Sequence, residues 1–124
     1  MKYYIAIDAN ETGKILEKYL FSGDLNGLRT FSERMKQTIA NMDEYLKSKD
    51  CSVFMAGGDN VMAEINENNV LEIIEYIKDI NQTQKLRFSV GIGGNSAQSY
   101  LALKYAKVNG IFAVKFLGDK FEEV

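Results

Sequence analysis

The sequence predicts an α/β domain of the α+β kind: a mixed, mostly antiparallel five-stranded sheet with helices packed on it, in a ferredoxin-like split βαβ arrangement carrying one added unit. Three observations carry this expectation. Short β-prone apolar runs alternate with helix-period segments in the order strand, one or two helices, hairpin, helix, strand, helix, strand. Apolar residues make up 46% and charged residues 26% of a chain without proline, which is the composition of a packed globular domain. No repeat, linker or low-complexity tract divides the 124 residues, so residues 1–124 are read as one domain, long enough to bury a shared core.

Taken in order, Tyr3 to Ile7 is an apolar run ending at Asp8, expected as a strand with an acid at its exit. Ile15, Leu16, Tyr19 and Leu20 form a short helical face, closed by the turn-rich Ser22-Gly23-Asp24. From Leu28, the residues Phe31, Met35, Ile39, Met42 and Leu46 recur at three- and four-residue steps, the period of a helix packed on one side. Asp24 itself has no assignable role. Val53 to Ala56 and Val61 to Ile65 are β-like runs joined by Gly57-Gly58-Asp59-Asn60, which has the residues of a tight hairpin turn. Asn69 is expected to cap a helix, with Glu72 three residues on and Val70, Ile73, Ile74, Ile77 and Ile80 as its buried stripe. Phe88 to Ile92 is the next strand. Asn95 and Ser96 precede a helix through Leu101, Ala102, Tyr105 and Ala106 that ends at Gly110, and Ile111 to Phe116 is the last strand.

This order has a spatial consequence. In a split βαβ arrangement the first strand runs antiparallel to the second strand of the hairpin, so its exit faces the hairpin turn. Asp8 and Asp59, about fifty residues apart, are therefore expected to meet at one rim of the sheet, where two acids would repel unless a cation lay between them.

Composition removes whole classes of function. Net charge is -2 with lysine and arginine dispersed, so no basic field exists to hold a long polyphosphate backbone, and no nucleic-acid template is expected. Histidine is absent, which excludes Ser-His-Asp and Cys-His nucleophile pairs and imidazole-bound zinc. The single cysteine, Cys51, allows no internal disulfide and fits a reducing compartment as a core thiol. The opening MKYYIAID is too short an apolar run for a signal peptide or a membrane span, so a cytoplasmic protein with no membrane partner is expected.

Any chemistry then rests on carboxylates, lysines and metal. Hard divalent cations such as Mg2+ or Mn2+ take carboxylate and carbonyl oxygens and complete their shell with water and substrate phosphates, so two aspartates are a sufficient minimum. Glycines before Asp59 let a phosphate or ribose approach the backbone, although a plain hairpin turn with an exposed acid has the same residues. Gly13-Lys14 after a strand invites comparison with a P-loop, but that motif needs glycine at Asp8 and Ser or Thr at Ile15. The amides of Asn10, Glu11, Thr12 and Gly13 remain available to phosphates at the helix start. Lys104 and Lys107, three apart, share a helix face and either reach a triphosphate or form a solvated surface pair. Gly91, Gly93 and Gly94 either form an anion nest or let the strand turn tightly.

Phe54-Met55-Ala56-Gly57-Gly58-Asp59-Asn60 resembles the signature hairpin of the GGDEF and CRISPR-polymerase palm domains. Val90-Gly91-Ile92-Gly93 is similar to a later strand of those domains, and Ala102-Leu103-Lys104-Tyr105-Ala106-Lys107-Val108-Asn109-Gly110 to their A-L-x-x-A-K-x-x-G helix. With Asp8 these matches span nearly the whole chain in the expected order, and its shortness looks most like the minimal CRISPR polymerases. The resemblance implies a palm nucleotidyltransferase in which Asp8 and Asp59 bind Mg2+ or Mn2+, the Ala9 carbonyl adds a ligand, Lys107 contacts the triphosphate, and Gly57, Gly58 and Asn60 lie against the nucleotide. It further implies condensation of nucleoside triphosphates into a cyclic nucleotide signal with release of pyrophosphate, a homodimer that brings two nucleotides together, and antiviral defence as the setting.

This chain departs from the pattern in places. Asn60 stands where relatives carry Asp or Glu, and Gly110 is followed by Ile111 instead of arginine. The Phe-Lys and Asn-Asp pattern that diguanylate cyclases place after the first strand is missing, so ATP is the expected substrate rather than GTP. Ser32, one step after Phe31 on the helix facing the pocket, is either a base contact or an ordinary surface hydroxyl. Two other readings stay open: a palm that binds nucleotide without turnover, and a cyclohydrolase that opens a guanine ring.

Overall fold

The computed structural model describes residues 1–124. They run β1 (Lys2–Ala9), α1 (Thr12–Ser22), α2 (Leu25–Ser48), β2 (Ser52–Gly57), β3 (Asn60–Asn66), α3 (Val70–Gln84), β4 (Phe88–Gly93), α4 (Ser96–Asn109), β5 (Ala113–Phe116) and β6 (Phe121–Glu123). The sheet order is β2-β3-β1-β4-β5-β6, with only the β4–β5 pair parallel. The expected palm architecture is present with six strands instead of five. β6 has three residues and one apolar side chain, Phe121, too little for a periodic signal; its place comes from Phe121 packing on Phe116 and stacking 4.2 Å from Tyr105.

The period-two pattern of the strands divides the sheet into two faces. Ile5, Ile7 and Ala9 of β1, Val61, Ala63 and Ile65 of β3, and Phe88, Val90 and Ile92 of β4 join one core with the apolar stripes of α2 and α3. Full burial of each valine, isoleucine or phenylalanine side chain among them contributes about 1.5–3 kcal/mol. On the opposite face α4 crosses β1, β4 and β5, and Ala102 and Ala106 pack on Val114. That crossing is close because Gly91 and Gly93 have no side chain: a β-carbon on Gly91 would meet the Ser99 carbonyl and the Leu103 amide at 2.2 Å. These glycines serve helix packing.

Helix ends differ from expectation in two places. α2 begins at Leu25, three residues before the apolar period, because the Asp24 side chain accepts the Gly27 amide hydrogen bond at 2.9 Å and caps the helix. Asn69 does not cap α3. A 3-10 turn over Glu67–Asn69 precedes that helix, Asn66 caps the turn, and the Asn69 amide group instead donates to the Lys49 carbonyl. In α1, Ile15, Leu16 and Tyr19 pack on the core as the period requires, whereas Leu20 is exposed. The last parallel strand starts at Ala113, since Ile111 is used to close the turn after Gly110, its amide donating to Ala106.

Candidate active site

β1 delivers Asp8 to the rim because Ile5, Ile7 and Ala9 anchor the strand in the core while Tyr4, Ala6 and Asp8 alternate onto the α4 face. Antiparallel pairing with β3 sets Asp8 directly opposite Asn60, and pairing with β4 sets it opposite Ser89. The hairpin turn closes one residue beyond: Gly57 pairs with Asn60, Gly58 adopts a left-handed φ of 59°, and Asp59 follows. The Ala9 amide donates to the Asp59 carbonyl at 3.0 Å, tying the two segments together past the end of the ladder.

Beyond Ala9 the chain enters α1 in an unusual way. Glu11 takes the N-cap position with φ 61°, a left-handed conformation uncommon for a residue with a side chain, and supplies no capping hydrogen bond. The first amides of α1 are therefore open at their N-terminal end, where the helix dipole favours negative charge. Asn10 is fixed by its amide donating to the Arg87 carbonyl at 2.7 Å and by its side-chain nitrogen donating to Ser89 Oγ at 2.8 Å. Its Oδ1 and the Thr12 hydroxyl are buried without a partner, two polar atoms whose bonding capacity is unused.

Next to this rim lies a cleft of about 760 Å³ between α1, α2 and the β2–β3 turn. It brings together Thr12, Gly13, Ser32, Gly57, Gly58 and Asp59. Phe31, Met35 and Ile39 of α2, with Leu16 of α1, give it an apolar wall suited to a planar ring. Asn10 and Glu11 border a smaller cavity of about 130 Å³ beside Lys85 and Arg87. Lys36, Ala40 and Asp43 also line the main cleft and were not singled out from the sequence. They stand four, eight and eleven residues after Ser32, so extending the helical face that contains Ser32 would have found them.

Lys107 sits in the last turn of α4, with its ammonium 2.5 Å from Asp8 Oδ2 and 3.4 Å from the Ala9 carbonyl oxygen. Both side chains of this pair are about one-quarter exposed, at 28% and 26%. Lys104 is exposed and lies 5.3 Å from the centre of the Tyr100 ring, so the two lysines of the helix make different contacts. The donor set at the rim suits a hard divalent cation: an Asp8 carboxylate and an Ala9 carbonyl already converge on one positive group, and Asp59 is the next acid along the same edge. No cluster of three acids or thiols occurs, so a metal here would rely on water and phosphate oxygens for the rest of its shell.

A family model described as the minimal CRISPR polymerase domain, mCpol, matches residues 4–117. No curated protein matches the chain. Among solved structures, a diguanylate cyclase/phosphodiesterase from Caldicellulosiruptor saccharolyticus is similar with a TM-score of 0.64 at 18% identity, over 98% of this chain and 79% of the other. The active GGEEF domain of a diguanylate cyclase from Vibrio cholerae is similar with a TM-score of 0.64 at 16% identity, over 96% and 83%. A bacterial light-regulated adenylyl cyclase is similar with a TM-score of 0.61 at 13% identity, over 92% and 74%. At these identities the likeness is one of fold.

Proposed function

We propose, because this chain belongs to the minimal CRISPR polymerase (mCpol) family, that it is a metal-dependent nucleotidyltransferase which condenses nucleoside triphosphates, ATP foremost, into a cyclic di- or oligonucleotide. The observation that carries the reading is the hydrogen bond from the Ala9 amide to the Asp59 carbonyl, which ties the strand end bearing Asp8 to the turn whose Gly57, Gly58 and Asp59 line a cleft of nucleotide size.

Asp8, Asp59 and the Ala9 carbonyl are the groups that would hold Mg2+ or Mn2+, which when bound neutralises the triphosphate and makes a ribose hydroxyl a better nucleophile. The rest is positioning by the chain itself. The apolar wall of Leu16, Phe31, Met35 and Ile39 takes the base, with Ser32, Lys36 and Asp43 as the polar groups at its edges. Gly57 and Gly58 present backbone without β-carbons, and neither has any atom within 4 Å of where a β-carbon would lie, so phosphate and sugar have room against the turn. The open amides at the start of α1 face anionic oxygen, and the buried Thr12 hydroxyl has a free bonding position there.

In the reaction a ribose hydroxyl oxygen of one nucleotide bonds to the α-phosphorus of another. The bond from that phosphorus to the bridging oxygen breaks, pyrophosphate leaves, and the hydroxyl proton passes to solvent. A second copy of the chain presenting the second nucleotide explains how one small site joins two substrates. Signalling in antiviral defence is the biological role that the family suggests.

The test is product analysis. Purified protein is incubated with each ribonucleoside triphosphate and Mn2+, and the products are resolved by mass spectrometry. Cyclic adenine nucleotide with pyrophosphate is the expected result. Ring-opened guanine with formate would replace this reading with a cyclohydrolase, and bound but unreacted nucleotide would replace it with a binding module.

A further inference from the structure

The ammonium of Lys107 occupies the two oxygens that a metal at this rim would need. Its Nζ touches Asp8 Oδ2 and also the Ala9 carbonyl oxygen. Asp8 has no other ion-pair partner, and the pair is only about one-quarter exposed, where charge attraction is less weakened by water than at an open surface. Its position is firm because α4 is seated against β4 through Gly91 and Gly93, where no side chain keeps the helix at a distance.

We propose that Lys107 is a resident cation: in the nucleotide-free protein it holds the Asp8 carboxylate and the Ala9 carbonyl, and divalent metal binds tightly only together with a triphosphate that draws the lysine away. The proposal rests on the reading of this rim as a nucleotidyl-transfer centre. Two positive groups cannot share the same few oxygens without repulsion, so metal arriving alone must displace the ammonium and leave it without a partner. A triphosphate removes that difficulty in two ways: its oxygens accept from the displaced ammonium, and they fill the metal positions that two aspartates and a carbonyl leave open. Metal and triphosphate binding are then positively coupled, and by linkage each tightens the other by the same factor. Under this arrangement the site does not collect stray divalent cations between turnovers.

The experiment is a Mn2+ titration followed by the paramagnetic resonance signal of free Mn2+, with and without a non-hydrolysable α,β-methylene ATP analogue. Lys107→Met is expected to bind Mn2+ alone about tenfold more tightly than the unaltered protein. Lys107→Arg, which keeps the charge, stays close to the unaltered protein, and the nucleotide's enhancement of Mn2+ affinity shrinks in Lys107→Met. Lys107→Gln serves as a second uncharged variant should Lys107→Met not fold. An uncharged variant that folds but binds Mn2+ alone no more tightly overturns the proposal and leaves Lys107 as a tether between α4 and β1. None of these readings requires turnover. Tightened Mn2+ affinity in Lys107→Met with no product from the unaltered protein would overturn the proposed reaction alone, and product from the unaltered protein with unchanged Mn2+ affinity in Lys107→Met would overturn the resident cation alone.

Discussion

The Ala9 amide donates to the Asp59 carbonyl at 3.0 Å, one step past the last paired residues of β1 and β3, Asp8 and Asn60. The hairpin turn is thus held by backbone against the exit of the first strand, and the Asp59 side chain is not needed for that hold. Asp59→Ala is expected to lower product formation by at least about a hundredfold, since a metal supplies several kcal/mol of charge stabilisation. Its unfolding free energy should stay within about 0.5 kcal/mol of the unaltered protein, the usual range for a surface substitution. Product analysis beside a urea melt checks both, and persistent activity would remove Asp59 from the reaction.

The cleft can be closed without touching the acids. Ala40 lines it from α2 yet is exposed, so a large side chain there fills the mouth and leaves the core alone. Ala40→Trp should weaken binding of a non-hydrolysable ATP analogue by at least about tenfold, equivalent to about 1.4 kcal/mol, with an unchanged melting temperature. Unaltered affinity in calorimetry would place the base elsewhere.

Gly91 has a different kind of importance. A β-carbon there would lie 2.2 Å from backbone atoms of Ser99 and Leu103, and backbone cannot swing aside as a long side chain can. Gly91→Ala is expected to cost about 1–3 kcal/mol in a denaturant titration, the range for overpacked sites. Since α4 carries Lys107, the same shift should disturb its contact with Asp8 and lower activity as well. Stability equal to that of the unaltered protein would show that the helix and strand part freely.

The stacked rings of Tyr45 and Tyr76, 3.7 Å between centres and 3° between planes, connect α2 to α3. Burial, then the nearby Glu72 charge, pushes the Tyr45 phenol up to about 12, and burial followed by Glu44 raises Tyr76. An unfolded tyrosine loses its proton near about pH 10. The stabilising difference is therefore fully present below pH 10 and is lost as pH rises toward 12, because the unfolded chain ionises first. Denaturation midpoints should fall between about pH 10 and pH 12, and Tyr45→Phe should flatten that fall. A midpoint that is level across this window in the unaltered protein would contradict the assignment.

Much of the architecture could be read from local pattern. The three- and four-residue steps of Phe31, Met35, Ile39, Met42 and Leu46 determined α2 because a single buried stripe needs that period, and all five are buried. Gly57-Gly58-Asp59-Asn60 determined the hairpin because only its first central residue needs left-handed geometry, and glycine provides it. From the order of elements alone, the antiparallel pairing of β1 with β3 followed, and with it the placing of Asp8 beside the turn.

Contacts between distant segments decided the rest. β6 exists because Phe121 finds Phe116 and Tyr105, not because three residues favour a strand. Asn69 looked like a cap, yet it turned to the Lys49 carbonyl because a 3-10 turn in front of α3 left its backbone near helical geometry. Lys104 and Lys107 are equivalent by spacing, and only the crossing of α4 over β1 separates them, sending one to Tyr100 and the other to Asp8. Periodicity is a property of neighbouring residues and can be read along the chain. The partner of a long charged side chain is chosen by whichever opposite charge the packed helices bring within reach, and the tertiary structure alone determines that.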